Sequence, residues 1–222
     1  MKAHDVGTTE WFLGDVLGYW LRERRATNGP RIARLHGDGD DLFVFTSLLD
    51  AYVERAAAVR RGRDPVRVAL TAMHGVGGEL ALRTLSAAGF GDVHVVTSQF
   101  DPDPDFPTVA FPNPEEPGAT DALLRTAERV GAGIAIALDP DADRCAVGIP
   151  TENGWRMLSG DETGWLLGDF ILARLGRQAA GNAVVASSVV SSQLLAAIAA
   201  DHGVRHVQTL TGFKWLARAD DG

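Results

Sequence analysis

The chain has 222 residues, is 45% hydrophobic, and carries a formal net charge of -8 with a pI near 5.2. That is enough apolar sequence for one or two domains with real cores, and the acidity argues against a nucleic-acid-binding surface. A single cysteine, Cys145, excludes an internal disulfide. No secretory leader is visible at Met1, and no apolar run approaches the roughly 20 residues that span a bilayer, so a cytoplasmic protein with no membrane partner is expected.

Residues 1–46 give a weak pattern: a short amphipathic helix around Trp11, Leu17 and Trp20, then a turn-rich stretch over Leu35–Phe45. From Ser47 the pattern sharpens. "SLLDAYVERAAAVRRG" has helical spacing and ends at Gly62. Val66–Thr71 reads as a strand, "GGELALRTLSAAGF" as a helix, and Asp92–Ser98 as a second strand. The link Phe100–Gly118 holds six prolines and is expected to be neither helix nor central strand.

Thr120–Ala132 reads as a helix opened by a Thr/Asp cap. Gly133–Asp139 is a continuous apolar strand, expected to be buried on both faces. Arg144–Pro150 is a further strand, and "TENGWRML" forms a hairpin and a boundary. Ser159–Gly176 reads as a helix with Ser159 and Glu162 at capping-box spacing. The strand "NAVVASS", the helix "SSQLLAAIAADHG" and the strand "VRHVQTL" follow. Strands alternating with helices imply an α/β fold, with mixed or parallel sheets sandwiched by helices. The expected division is an unmatched segment 1–46, a unit 47–154 and a shorter unit 155–222.

The strongest chemical signal is "ALDPDADR". Asp139, Asp141 and Asp143 alternate at the C-terminal end of an apolar strand, where open α/β sheets place ligands. Three adjacent carboxylates repel unless a cation compensates, and their oxygens suit Mg²⁺, Mn²⁺ or Ca²⁺. An EF-hand loop is excluded, because Arg144 stands where its glycine belongs and Pro150 where its glutamate belongs. A phosphatase of the haloacid dehalogenase type shares the strand-Asp-x-Asp opening, but Asp143 and Arg144 favour a metal cage over a nucleophile. Asp101–Phe106 also alternates aspartates, yet sits among prolines with no arginine or strand after it, and reads as a turn.

Other residues read as structural. The glycines of "HGVGG" (His74–Gly78) lack phosphate-loop spacing and are expected to pack strand on helix. His74 reads as a hydrogen-bonded structural histidine, Cys145 as a buried inert thiol, and Trp155, Trp165 and Trp215 as packing residues.

"ALDPDADR" resembles the metal loop of the α-D-phosphohexomutases, the phosphoglucomutase/phosphomannomutase family. Four more segments agree in order: "LTAMHGVGGELALRTL", "FPNPEEPGATDALL", "LSGDETGWLLGDFIL" and "TLTGFKWLARA". The likeness runs over about Leu48–Ala219, resembling most the actinobacterial-type phosphomannomutases. It implies α/β/α domains, the second complete and the third partial, in an isomerase moving a phosphoryl group between the 1- and 6-hydroxyls of a hexose phosphate through a phosphoserine. It also implies Mg²⁺ held by Asp139, Asp141 and Asp143. A hexose phosphate or bisphosphate would meet Asp143, Arg144, Thr211, Gly212 and Lys214.

The family's phosphoserine loop, Thr-Ala-Ser-His-Asn-Pro, occurs nowhere in the sequence, so no catalytic residue is assigned. The chain alone is expected to be inactive, with the remaining domains as partners on another chain. A non-catalytic metal or sugar-phosphate binding module, or a truncated gene product, is the alternative, and the phosphatase comes third.

Overall fold

The computed structural model describes residues 40–62, 64–175 and 183–219. The helix expected around Trp11–Trp20 lies outside them. The fold is a mixture of α and β. Five strands make one mixed sheet, and two more make a parallel pair. The chain divides into two compact units, Met1–Cys145 and Ala146–Gly222. None of the described helices is long and apolar enough to cross a membrane.

In the first unit, α1 (Asp40–Ala57) begins earlier than the expected Ser47, so Asp40–Phe45 is helical rather than turn-rich. It lies against α2 (Gly78–Ala87), and an Asp50–Arg83 ion pair of 2.6 Å joins them. Strand β1 (Val68–Thr71) is buried at all four positions. It runs parallel to β2 (Val93–Val95) on one side and β3 (Ile134–Leu138) on the other, with Val68 opposite both Val93 and Ile134. A central parallel strand has both faces covered, which the apolar run Val68–Leu70 reflects.

In β3 the fully buried positions are Ala135 and Ala137, while Ile134, Ile136 and Leu138 are only half-buried. The expectation of a strand buried on both faces is therefore corrected. Helix α3 (Asp121–Val130) turns Leu123, Thr126 and Ala127 inward. Thr120 stands at its N-cap but makes no side-chain capping bond, contrary to expectation. The C-terminus is conventional: Gly131 adopts φ 62°, a left-handed turn that glycine tolerates best. Arg67 ties the layers together, donating to Asp92 at 2.8 Å and to the Val130 carbonyl at 2.6 Å.

In the second unit, β4 (Cys145–Thr151) and β5 (Gly154–Met157) form the expected antiparallel hairpin. Helix α4 (Gly160–Leu172) opens with the expected capping box: Ser159 Oγ accepts from the Glu162 N–H, and Glu162 accepts from the Ser159 N–H. Strand β6 (Val184–Ser188), helix α5 (Leu194–Asp201) and strand β7 (Arg205–Thr209) follow, then the short α6 (Phe213–Leu216). The core here is small, centred on Leu172, Ala199 and Val204. Leu166, Leu167, Phe170 and Ile171 of α4 stay exposed.

The Glu162 carboxylate also takes two bonds from Arg156 on β5, at 3.0 and 2.8 Å. Arg156 first, and the Ser159 N–H second, hold its pKa down at about 2, from an ordinary 4.5. A depressed carboxylate stabilises the fold above its unfolded pKa and loses that contribution as pH falls through the folded one. The melting-temperature gap between the native chain and Glu162→Gln is expected to be full at pH 7 and to close between pH 4.5 and about 2. Thermal melts across that range check it, and a pH-independent gap is the contrary outcome.

Candidate metal centre

Strand β3 ends at Leu138, and the chain turns sharply before leaving on β4. Asp139 is the closing residue of this turn. Its N–H donates to the Arg144 carbonyl at 3.3 Å, and its own carbonyl accepts the Ala142 N–H at 3.0 Å. Its carboxylate takes the Arg144 N–H at 3.0 Å on one oxygen and the Arg144 Nε at 2.9 Å on the other. Asp139 is 1% exposed, so these partners offset the desolvation of a buried charge. Ala142 sits at φ 58°, the left-handed region that a non-glycine residue enters at a cost.

The turn brings the three carboxylates together. One oxygen from each of Asp139, Asp141 and Asp143 lies within 4.8 Å of the others, the single such group among the described residues. Withdrawal from water, then the hydrogen bond with Asp139 and the charges of Asp141 and Asp139, push the Asp143 carboxyl above its ordinary pKa, while Arg144 opposes them. The donor set fits a hard divalent cation. Octahedral Mg²⁺–oxygen bonds of about 2.1 Å place neighbouring ligand oxygens about 3 Å apart, so only modest closing is needed. Each Asp139 oxygen keeps a second lone pair beyond its bond to Arg144.

Arg144 is 61% exposed, and no hydrogen bond among the described residues engages its Nη atoms. The outer edge of its fork is thus open to a planar anion. Cys145 is exposed, not buried as expected. Partial withdrawal from water and the Asp139 charge push its thiol upward in pKa, so Arg144 does not activate it.

The glycine loop supports this turn. Any Cβ on Gly75 would run into the Pro140 backbone, with Pro140 Cα at 2.5 Å, and one on Gly77 would meet Ala142 Cβ at 2.5 Å. The Val76 N–H donates to the Pro140 carbonyl at 2.9 Å. Gly78 packs against Ala72, just past β1, and Phe100, and a Cβ on Gly77 would also face Leu138 of β3 at 3.1 Å, so the expected packing of strand on helix holds there and is corrected for Gly75 alone. No periodicity announces this contact, since the two loops lie more than 60 residues apart in sequence. His74 is the hydrogen-bonded structural histidine expected, 5% exposed with Nε2 2.8 Å from Thr108 Oγ1. Asp103 of the proline-rich link accepts the Asp105 N–H at 2.9 Å, the turn role read for that aspartate run.

Thr211, Gly212 and Lys214 lie in the second unit. Gly212, at φ 124°, is the N-cap of α6, and Thr211 and Lys214 are exposed beside it. Lys214 stands 5.4 Å from the Trp215 ring centroid.

Residues 49–152 match the family model described as phosphoglucomutase/phosphomannomutase, alpha/beta/alpha domain II, and residues 159–220 match its domain III counterpart. A probable phosphomannomutase of Haemophilus influenzae is 42% identical over 176 residues, covering 77% of this chain and 35% of that protein. Human phosphopentomutase is 40% identical over 158 residues, covering 68% of this chain and 26% of that protein. In structure, a phosphoglucomutase/phosphomannomutase family protein of Burkholderia thailandensis matches with a TM-score of 0.63 and 27% identity, over 78% of this chain and 35% of that one. The chain thus spans about a third or less of these relatives' lengths. Two adjoining family domains in order, relatives at 40% identity or more, and a shared fold together place the chain in the phosphoglucomutase/phosphomannomutase family, of which it carries sequence from α/β/α domains II and III.

Proposed function

We propose that this chain supplies the metal centre and part of the sugar-phosphate site of a Mg²⁺-dependent phosphohexomutase. The observation that carries the reading is the convergence of Asp139, Asp141 and Asp143 beside Arg144 at the C-terminal end of the parallel strand β3. In this reading the three aspartates hold Mg²⁺, which offsets charge on a phosphoryl group in transfer. Asp143 and Arg144 meet the sugar phosphate, and Arg144 engages phosphate oxygens through its exposed Nη atoms. Thr211, Gly212 and Lys214 contribute further phosphate contacts, Gly212 by letting the anion approach the backbone. The substrate is a hexose phosphate or bisphosphate, in keeping with the sugar-phosphate mutase names of the relatives.

The domain division 47–154 and 155–222 and a cytoplasmic location belong to the same proposal. Family membership and the burial of Asp139 against Arg144 leave a phosphatase nucleophile or a non-catalytic module unfavoured.

The sequence holds no Thr-Ala-Ser-His-Asn-Pro loop, so the phosphoryl donor is proposed to lie outside these 222 residues. With Mg²⁺ and a hexose 1-phosphate, the polypeptide alone is expected to give no isomerisation. Adding a polypeptide that carries the phosphoserine loop and the remaining sugar-binding segments is expected to give turnover. Turnover by these residues alone, or none after complementation despite Mg²⁺ binding, would overturn the reading.

A further inference from the structure

The metal turn rests on the loop His74–Gly78, and the chain enters that loop through two residues in an unfavourable backbone region: Met73 at φ 48° and His74 at φ 60°. Neither is glycine, and β1 is already complete at Thr71, so something other than the sheet must hold them.

A chain of hydrogen bonds begins on one of these residues and ends on the other. The Met73 N–H donates to Thr71 Oγ1 at 3.1 Å, and Thr71 Oγ1 donates to Gln99 Oε1 at 2.7 Å. Gln99 Nε2 donates to Thr108 Oγ1 at 2.8 Å, and Thr108 Oγ1 lies 2.8 Å from His74 Nε2. The backbone doubles the clamp, since the His74 N–H donates to the Gln99 carbonyl at 2.8 Å and the Asp103 N–H donates to the His74 carbonyl at 2.9 Å. Thr71 and Gln99 are buried, at 0% and 1% exposure. Thr108 is exposed, but both side chains it joins, Gln99 and His74, are buried, so losing its hydroxyl takes a partner from two groups held away from bulk water.

Immediately after His74, Gly75 lies against the Pro140 backbone and the Val76 N–H holds the Pro140 carbonyl. Pro140 stands between the ligand candidates Asp139 and Asp141. We infer that Gln99, Thr108 and His74 are positioning residues for the metal centre, acting through the Met73–His74 turn and the Val76–Pro140 bond. They touch neither metal nor substrate. They fix the platform on which the three carboxylates converge, so their loss weakens the metal without removing a ligand. This rests on the metal reading proposed above.

The test is Mn²⁺ titration of the full chain, with amide exchange at Val76 as a metal-independent readout. Thr108→Val removes the hydroxyl that joins Gln99 to His74. It is expected to raise the Mn²⁺ dissociation constant about tenfold, the lower end of what lost outer-shell support costs, and to speed Val76 exchange. Thr108→Ser restores the hydroxyl and is expected to return both to within twofold. Val68→Ala, a core change at the far end of β1, lowers the melting temperature but is expected to leave the Mn²⁺ affinity unchanged. Should Thr108→Val fail to fold, His74→Asn reads the same contact. Asparagine tolerates the left-handed backbone but is too short to reach Thr108.

Native Mn²⁺ affinity and Val76 protection in Thr108→Val overturn the inference. So does an equal loss of affinity in Val68→Ala. If the native chain binds no Mn²⁺, the metal reading fails and the inference is decided by Val76 exchange. Faster exchange in Thr108→Val sustains it, and unchanged exchange overturns it.

Discussion

Asp139→Asn is expected to raise the Mg²⁺ dissociation constant by about a hundredfold or more and also to destabilise the metal-free chain. Loss of an outer-shell partner alone costs about 10–100-fold in metal affinity, and losing a ligand's charge should cost at least the upper figure. The stability effect has a separate cause. Both Asp139 oxygens accept hydrogen bonds, one from the Arg144 N–H and one from Arg144 Nε. An asparagine must aim its amide NH₂ at one of these donors whichever way it is turned. At a site 1% exposed, that donor–donor conflict costs about 1–3 kcal/mol. Asp141 is exposed, so Asp141→Asn is expected to weaken Mg²⁺ with little change in melting temperature. Calorimetric titration and thermal melts on the two variants separate ligand from scaffold. Mg²⁺ binding by Asp139→Asn at native affinity would sink the metal assignment.

Gly75→Ala is expected to be the most damaging methyl group in the first unit. The new Cβ would lie 2.5 Å from Pro140 Cα and 2.7 Å from its carbonyl carbon. Backbone atoms cannot rotate away as a side chain can, so the glycine loop and the aspartate turn must part. Overpacking of this kind costs about 1–3 kcal/mol. That corresponds to a fall of roughly 4–8 °C in melting temperature per kcal/mol for a unit of this size. Separation also breaks the Val76–Pro140 bond, so Mg²⁺ affinity should fall with stability. Gly91→Ala is the matched control, because a Cβ there meets nothing within 4 Å. Equal melting temperatures for the two variants would show that the loops are not pressed together as described.

Much of the centre was legible in the sequence because its signal is local. Alternate aspartates after an apolar strand, followed by an arginine, fall on one tight turn, and "LDPDADR" needs no distant residue to be read. The capping box at Ser159 and Glu162 was legible for the same reason, its partners being three residues apart. Thr120 looked like an equally good cap but is buried without the expected bond, since burial was decided by what packs over it. The thiol of Cys145 was misjudged because strand alternation tells which residues share a face, not which face is covered.

The sequence by itself determined the alternation of strands and helices, the carboxylate turn and the family, because spacing and residue type act over a few neighbouring positions. Tertiary structure alone decided that Gly75 and Gly77 serve the metal turn. It also decided that Gln99 and Thr108, from a 3-10 turn and a proline-rich link, hold the strained Met73–His74 corner. Those contacts join residues far apart along the chain, and only the pairing of β1 with β3 brings their loops to the same end of the sheet.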